Sequence, residues 1–439
     1  MQRRQFLYAG TSAAVSAAWA AQLQAQERKV AVNDKVTICV MGVKGRGYGL
    51  LQTFSQLPDI NIKYVCDLDP AILGQRLEYL NAKGVHRPQG IKDYRTAIDD
   101  KSVDAFVIGT PDHWHALPTI HACQAGKDVY VEKPDGHNIL EGRAMVRAQQ
   151  KYNRVVQLGT QARSGLHLAS AMEYLQAGHL GKVRFAKAWE SSKQGTIGNP
   201  PDSAPPPGVD YDLWLGPAPK HAFNVRRFHG NWRWFYDYGS GDLGNDGVHR
   251  LDIARWGLAT ALAAKQEKLP PIPVSISSLG GKMYFDDAQE WPDTQMVTYD
   301  YGPALLTYEM RVWSAYPLHE EPEGAAILGD AGYMVLGNSR WRAFDAKGKL
   351  VREEAGSYND VGHAQNFLDC MRSRGTPAAD LATVGHPSSL LCHLGNVAWR
   401  AGRTVKFDAT KYEFVGDRDA NQYLTRPEYR KPFELPDLG

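Results

Sequence analysis

Between Lys35 and about Val156, short apolar runs containing Val or Ile (36–41, 62–66, 105–108, 128–131 and 155–158) alternate with helix-forming stretches (51–57, 71–82, 117–125 and 140–152). No other feature constrains the fold as much. Parallel strands covered on both faces need continuous apolar runs, and each return to the sheet needs a crossover helix. The fixed handedness of such crossovers lays the helices on both faces of a doubly wound parallel sheet. After about Gln161 the order changes to a helix (168–177) followed by strand-like runs at 183–190, 274–278, 295–300, 304–312 and 325–328. These predict a second, α+β domain with a large, mostly antiparallel open sheet, which makes the chain α/β overall. Helices are predicted at 364–373 and 388–400, before a polar, proline-punctuated tail (406–439) expected to wrap the surface.

The first apolar run ends at Gly42-Val43-Lys44-Gly45-Arg46-Gly47, directly before a helical stretch. This approximates G-x-G-x-x-G in the strand–turn–helix setting that receives a pyrophosphate on backbone N–H groups. Gly42 serves the tight turn and Gly47 the close helix approach, while Lys44 takes the place of the middle glycine. Asp67 stands just past the second run, where a carboxylate accepts both ribose hydroxyls and repels a 2′-phosphate. The first domain (34–158) therefore reads as a Rossmann-type dinucleotide domain that takes NAD in preference to NADP, with Lys44 and Arg46 as cations able to accommodate an added phosphate. Ligands of open α/β sheets bind at C-terminal strand ends. Two further loops sit there: Thr110-Pro111-Asp112-His113-Trp114-His115 and Glu132-Lys133-Pro134.

The remaining arithmetic narrows the partners. Lys plus Arg total 50 and Asp plus Glu 48, without polybasic or acidic segments, so nothing favours nucleic acid or a membrane surface. The five cysteines lack metal-ligand spacing, so no metal and no disulfide framework are expected; Cys39 and Cys66, in strands, read as packing residues. Residues 1–26 carry Arg3-Arg4 ahead of an uncharged Ala-rich stretch, which resembles a twin-arginine export signal. The expectation is a periplasmic or otherwise exported protein with no stable membrane insertion after processing.

Taken together, the fingerprint, Thr110-Pro-x-x-x-His115, Glu132-Lys133-Pro134, Gly159-Thr160-Gln161 and the segment Asn245-Asp246-Gly247-Val248-His249-Arg250-Leu251-Asp252 resemble the family of glucose–fructose oxidoreductase, inositol dehydrogenase and the rhizopine-catabolism protein (Gfo/Idh/MocA). The resemblance implies a substrate and oligomerisation domain at 159–405, with homo-oligomer contacts through its sheet. It also implies cofactor contacts from Gly42, Lys44, Gly45, Arg46, Gly47, Asp67, Thr110, Pro111, His113, His115, Glu132, Lys133 and Gln161. The implied activity is nicotinamide-dependent oxidation of a ring hydroxyl of a sugar, cyclitol or glycoside, with NAD(H) held tightly and recycled in place. Lys133 would stabilise the developing alkoxide and His249 would act as general base or acid.

Some family members carry Asp four residues before this histidine, where this chain has Asn245. Asn245 is expected to orient substrate, and Asp246 either to do likewise or to cap a helix. Asp252, one turn beyond His249, could hold its imidazole. Arg163 is read as a substrate or cofactor contact or an ion pair, and Tyr236 as a substrate contact within the aromatic segment 228–238, which suits either a carbohydrate face or packing between domains. Two other functions share these residues. One is an NAD-dependent glycoside hydrolase that works by transient C3 oxidation and elimination, although the fingerprint differs in form from that of the known hydrolases. The other is a non-catalytic periplasmic sugar or NAD sensor.

Overall fold

The computed structural model describes residues 35–84 and 86–438; the expected export signal (1–26) lies outside the described residues. The first sheet contains β1 (Val36–Met41), β2 (Ile60–Cys66), β3 (Gln89–Ile91), β4 (Ala105–Ile108), β5 (Asp128–Val131) and β6 (Val156–Leu158). All its pairs are parallel, in the order β3-β2-β1-β4-β5-β6. This is the doubly wound arrangement whose strand order reverses beside β1, where ligands bind. Strands β4 and β5 are buried at every position, as parallel strands covered on both faces are. Strand β3 is a three-residue addition, Gln-Gly-Ile, without an apolar run of its own.

The second sheet has ten strands: β7 (Val183–Glu190), β8 (Ser275–Gly281), β9 (Thr294–Asp300), β10 (Leu305–Arg311), β11 (Glu323–Gly329), β12 (Gly332–Leu336), β13 (Arg340–Asp345), β14 (Leu350–Ala355), β15 (Val405–Asp408) and β16 (Glu413–Phe414). Only β7 and β10 pair in parallel; every other neighbour is antiparallel. Helices Val248–Ala263 and His386–Ala401 pack on one face of this sheet, and their apolar sides join its main core. The opposite face carries a small buried cluster of Trp189, Ala326 and Val335 and leaves Leu279, Met296, Leu305 and Leu328 exposed.

Chain from the C-terminal third completes the first sheet. Helix Asp360–Ser373 buries Phe367, Leu368 and Met371 on one side of it, with Ile38 and Phe54. Phe433 and Leu438 bury themselves on the other, where the Phe433 ring meets Trp114 edge-on at 5.5 Å. The tail is therefore more than the surface wrap its polar composition predicts. It supplies core side chains, an edge strand pair and the buried Arg426–Glu141 ion pair, at 3.4 Å.

Candidate active site

A cleft opens at the C-terminal ends of the first sheet's strands, and its floor is the glycine turn. Gly42 adopts φ +72°, and its N–H donates to the Cys66 carbonyl at 2.8 Å, which ties the turn to β2. A Cβ on Gly47 would fall 1.6 Å from the Gly42 carbonyl oxygen, so only glycine lets the helix Arg46–Ser55 approach this closely. Gly45, at φ +54°, precedes that helix, and the Lys44 side chain lies in the cleft. Asp67 sits at the end of β2, where its carboxylate accepts the N–H groups of Val43 at 2.8 Å and Asp69 at 3.0 Å. Burial raises its pKa, and these two donors oppose the rise. A glycine cradle beside a fixed, cleft-lining carboxylate fits a dinucleotide with an unmodified ribose.

Thr110, Pro111, Glu132 and Lys133 line the same cleft. Arg46 also lines it, but its guanidinium is engaged by Glu132 and Asp360, each at 2.8 Å. A cation neutralised by two carboxylates is a poor receiver for a 2′-phosphate, contrary to the role its sequence position suggested. Gln161 stands behind the site, donating to Glu132 Oε1 and to the Tyr130 hydroxyl, both at 3.1 Å.

Neither His113 nor His115 faces the cleft, which corrects their expected cofactor contacts. The His115 ring nitrogens lie 2.7 Å from the Pro134 carbonyl oxygen and 2.8 Å from that of Thr110, joining the two strand-end loops. His113 bonds across to the second half of the chain, 2.9 Å from the Trp214 carbonyl oxygen. Burial pushes the His113 pKa down to about 3, and those of His363 and His393 down to about 4. These three rings stay neutral in the fold at pH values where unfolded histidines, near 6.5, take up protons. The stability they contribute is full above about pH 6.5 and is lost as pH falls toward their folded values. The melting temperature should drop steadily from pH 7 to pH 5, and a flat profile would contradict their neutral burial.

Lys133 Nζ donates to the backbone carbonyl of Asn245 at 2.5 Å, which brings the two sequence motifs together across the cleft. Asn245 lies in a single π-turn, Leu243–Gly247, that leads into helix Val248–Ala263. Such turns frequently mark functional sites. Its side-chain amide donates to Asp246 Oδ2 at 3.0 Å and to Asp242 Oδ1 at 3.3 Å. Asp246 thus braces Asn245. Burial, reinforced by the charge of Asp246, pushes Asp242 up to about 7.

His249 follows on the first helical turn, half-buried behind Asn245 and outside the cleft lining, and its Nδ1 has no hydrogen-bond partner. Burial holds its pKa well below the ordinary value, and the charges of Lys133 and Arg250 add to the effect. Asp252 does not hold this imidazole. Its oxygens receive a two-pronged ion pair from Arg163, at 2.8 and 2.7 Å, and the Ser388 hydroxyl at 2.6 Å. Arg163 is thereby a buried structural cation stacked over Trp256, rather than a group reaching for a ligand. Tyr236 is likewise withdrawn: it donates its hydroxyl to the Glu290 carbonyl at 2.7 Å and lies outside the cleft lining.

The second wall of the cleft escaped residue-level reading. Leu213, Trp214, Phe228, His229, Trp232 and Arg233 face the dinucleotide-type turn from the other half of the chain. The aromatic density of 228–238 was the signal for its later part, and Leu213 and Trp214 lie outside that segment. His229 lies 2.6 Å from Asp69, on the opposite wall. Among the described residues no group of His, Cys, Asp and Glu has the arrangement to hold a metal ion, and no helix is long and apolar enough to cross a membrane.

Residues 36–160 match the family model described as "Oxidoreductase family, NAD-binding Rossmann fold", and residues 183–435 match "Oxidoreductase family, C-terminal alpha/beta domain". Among curated relatives, a glycosyl hydrolase family 109 protein of Shewanella pealeana is 30% identical over 105 residues, 23% of either chain. One from Stenotrophomonas maltophilia is 26% identical over 206 residues, covering 43% of this chain and 44% of the relative. The match thus spans less than half of either relative's length. The fold is shared with aldose–aldose oxidoreductase from Caulobacter crescentus, at TM-score 0.64, 18% identity and coverage of 85% of this chain and 100% of that one. It is shared also with levoglucosan dehydrogenase, solved with NADH and levoglucosan, at TM-score 0.64, 16% identity and coverage of 85% and 99%.

Proposed function

The chain belongs to the Gfo/Idh/MocA oxidoreductase family, and from that premise we propose that it oxidises a ring hydroxyl of a sugar, cyclitol or glycoside with NAD seated on the glycine turn. The observation that carries this reading is Lys133, anchored by the Asn245 carbonyl in the same cleft as Asp67 and the glycine cradle. Gly42, Gly45, Gly47, Asp67, Thr110 and Pro111 would hold the dinucleotide, which when bound supplies a hydride acceptor. Lys133 directs its remaining N–H donors at the substrate hydroxyl and favours negative charge on that oxygen as its proton leaves. His249, kept neutral by its surroundings, receives the proton. Trp232 offers an apolar face for the C–H side of a ring, and Arg233 and Asn245 offer polar groups for its hydroxyls.

The family 109 relatives favour a second reading with the same residues, a glycoside hydrolase in which C3 oxidation is transient and the hydride returns to the product. Residues 1–26 support export through a twin-arginine signal. An exported enzyme working where free NAD is scarce needs a cofactor acquired before export and then retained. The exposed residues Leu279, Met296, Leu305 and Leu328 on the outer face of the second sheet support a homo-oligomer closed through that face.

The test is to purify the mature protein without added nucleotide, denature it and identify what is released by mass spectrometry. NAD(H) should appear. Sugar-dependent reduction of the bound cofactor without glycosidic cleavage would support the oxidoreductase, whereas cofactor-free release of a phenol from an aryl glycoside would favour the hydrolase. A protein that neither carries nor binds NAD(H) would sink both.

A further inference from the structure

Among the contacts that join the two walls of the nucleotide cleft, one is used by no step of the proposed chemistry. His229 Nε2 donates to Asp69 Oδ2 at 2.6 Å, between residues 160 apart in sequence. Both side chains are largely shielded from water, at 22% and 13% exposure. The Asp69 end is fixed, because its other oxygen caps the helix Pro70–Lys83 by accepting the N–H groups of Ala71 at 2.9 Å and Ile72 at 3.3 Å. The backbone N–H of Asp69 donates to Asp67, which couples this residue to the carboxylate assigned to the ribose.

The His229 end is fixed by strain and bracing. Its φ of +62° lies in the left-handed region, which a non-glycine residue keeps only where its surroundings enforce it. Arg233 donates to the Gly230 carbonyl at 2.7 Å and closes the turn. Lys44, Gly45 and Asp67 line the same cleft as His229 and Asp69, which puts the contact beside the glycine turn and the ribose carboxylate.

We propose that His229 and Asp69 form a latch across the ribose end of the nucleotide site, so that a bound dinucleotide leaves only when this bond breaks and segment 228–233 lifts away. The proposal rests on the reading of this cleft as the NAD site. His229 is a positioning residue: it holds a wall in place and takes no part in hydride or proton transfer. The latch gives the chain its own means of retaining cofactor.

Stopped-flow displacement of NADH from the full mature chain tests it, comparing the natural protein with His229→Ala and Asp69→Ser. Serine still caps the helix but is too short to reach His229. Loss of a charge-assisted hydrogen bond should speed NADH release by about tenfold or more in each variant. The melting temperature of the nucleotide-free protein should change little, and His229→Gln, whose amide can donate to Asp69, should restore slower release. Unchanged release rates in both variants would overturn the latch. Absence of NADH binding to the natural protein would instead overturn the cofactor reading beneath it, so the two failures are distinguishable.

Discussion

Replacement of Lys133 by alanine is expected to lower turnover by at least about 10²-fold while NADH still binds. The ammonium is held at 2.5 Å by a backbone carbonyl rather than by a carboxylate, so its charge is not neutralised by that partner. It remains available to a developing alkoxide. Lys133→Arg should rescue little, because a planar fork cannot reproduce a point charge seated against one carbonyl. His249→Ala is expected to show a loss of the same order with a different signature. A base must be neutral to accept a proton, so activity falls as pH drops through its pKa. Because that pKa is held well below the ordinary value, the acid limb of the natural enzyme should lie below about 6.5 and vanish in the variant. Natural turnover in either variant would refute the role assigned to that residue.

Asp252→Ala should destabilise the fold by about 3–5 kcal/mol, because it strands the buried Arg163 guanidinium without its carboxylate. The pair is almost entirely buried, with Asp252 at 0% and Arg163 at 10% side-chain exposure. Ser388 also loses its acceptor. The decisive comparison is melting temperature against KM. A substrate-binding Arg163 would make the variant weak in substrate affinity, whereas a structural ion pair makes it unstable. Replacing both residues by apolar side chains of similar volume should recover much of the loss, since the desolvation cost of the two charges disappears with them.

The first sheet was legible because its signals are local. Burial of β1, β4 and β5 on both faces leaves an apolar run in the sequence, and the strand–glycine–helix order follows within one short segment. Strand β14 was missed for the opposite reason. Leu-Val-Arg-Glu-Glu-Ala in β14 is exposed nearly throughout, so no apolar alternation marks it and only pairing with β13 makes it a strand. At the site, the glycines, Asp67, Lys133 and Asn245 were recoverable from motif spacing. Partners distant in sequence were not. Helical spacing offered Asp252 to His249 three residues away, but Arg163, 89 residues distant, holds it in the fold. His113 and His115 show the same limit, since proximity to a strand end does not say whether a ring faces the cleft or the scaffold behind it.

The way the C-terminal third completes the first sheet bears on how the molecule is made. Phe367 and Leu368 finish one face of the dinucleotide half, and Phe433 and Leu438 finish the other. Those side chains follow the N-terminal half in synthesis, so the parts of each face that its own helices leave open stay uncovered until the C-terminal third has emerged. Loss of the Phe433 ring, which meets the cleft-lining Trp114, would therefore disturb a wall of the cleft more than 300 residues away in sequence.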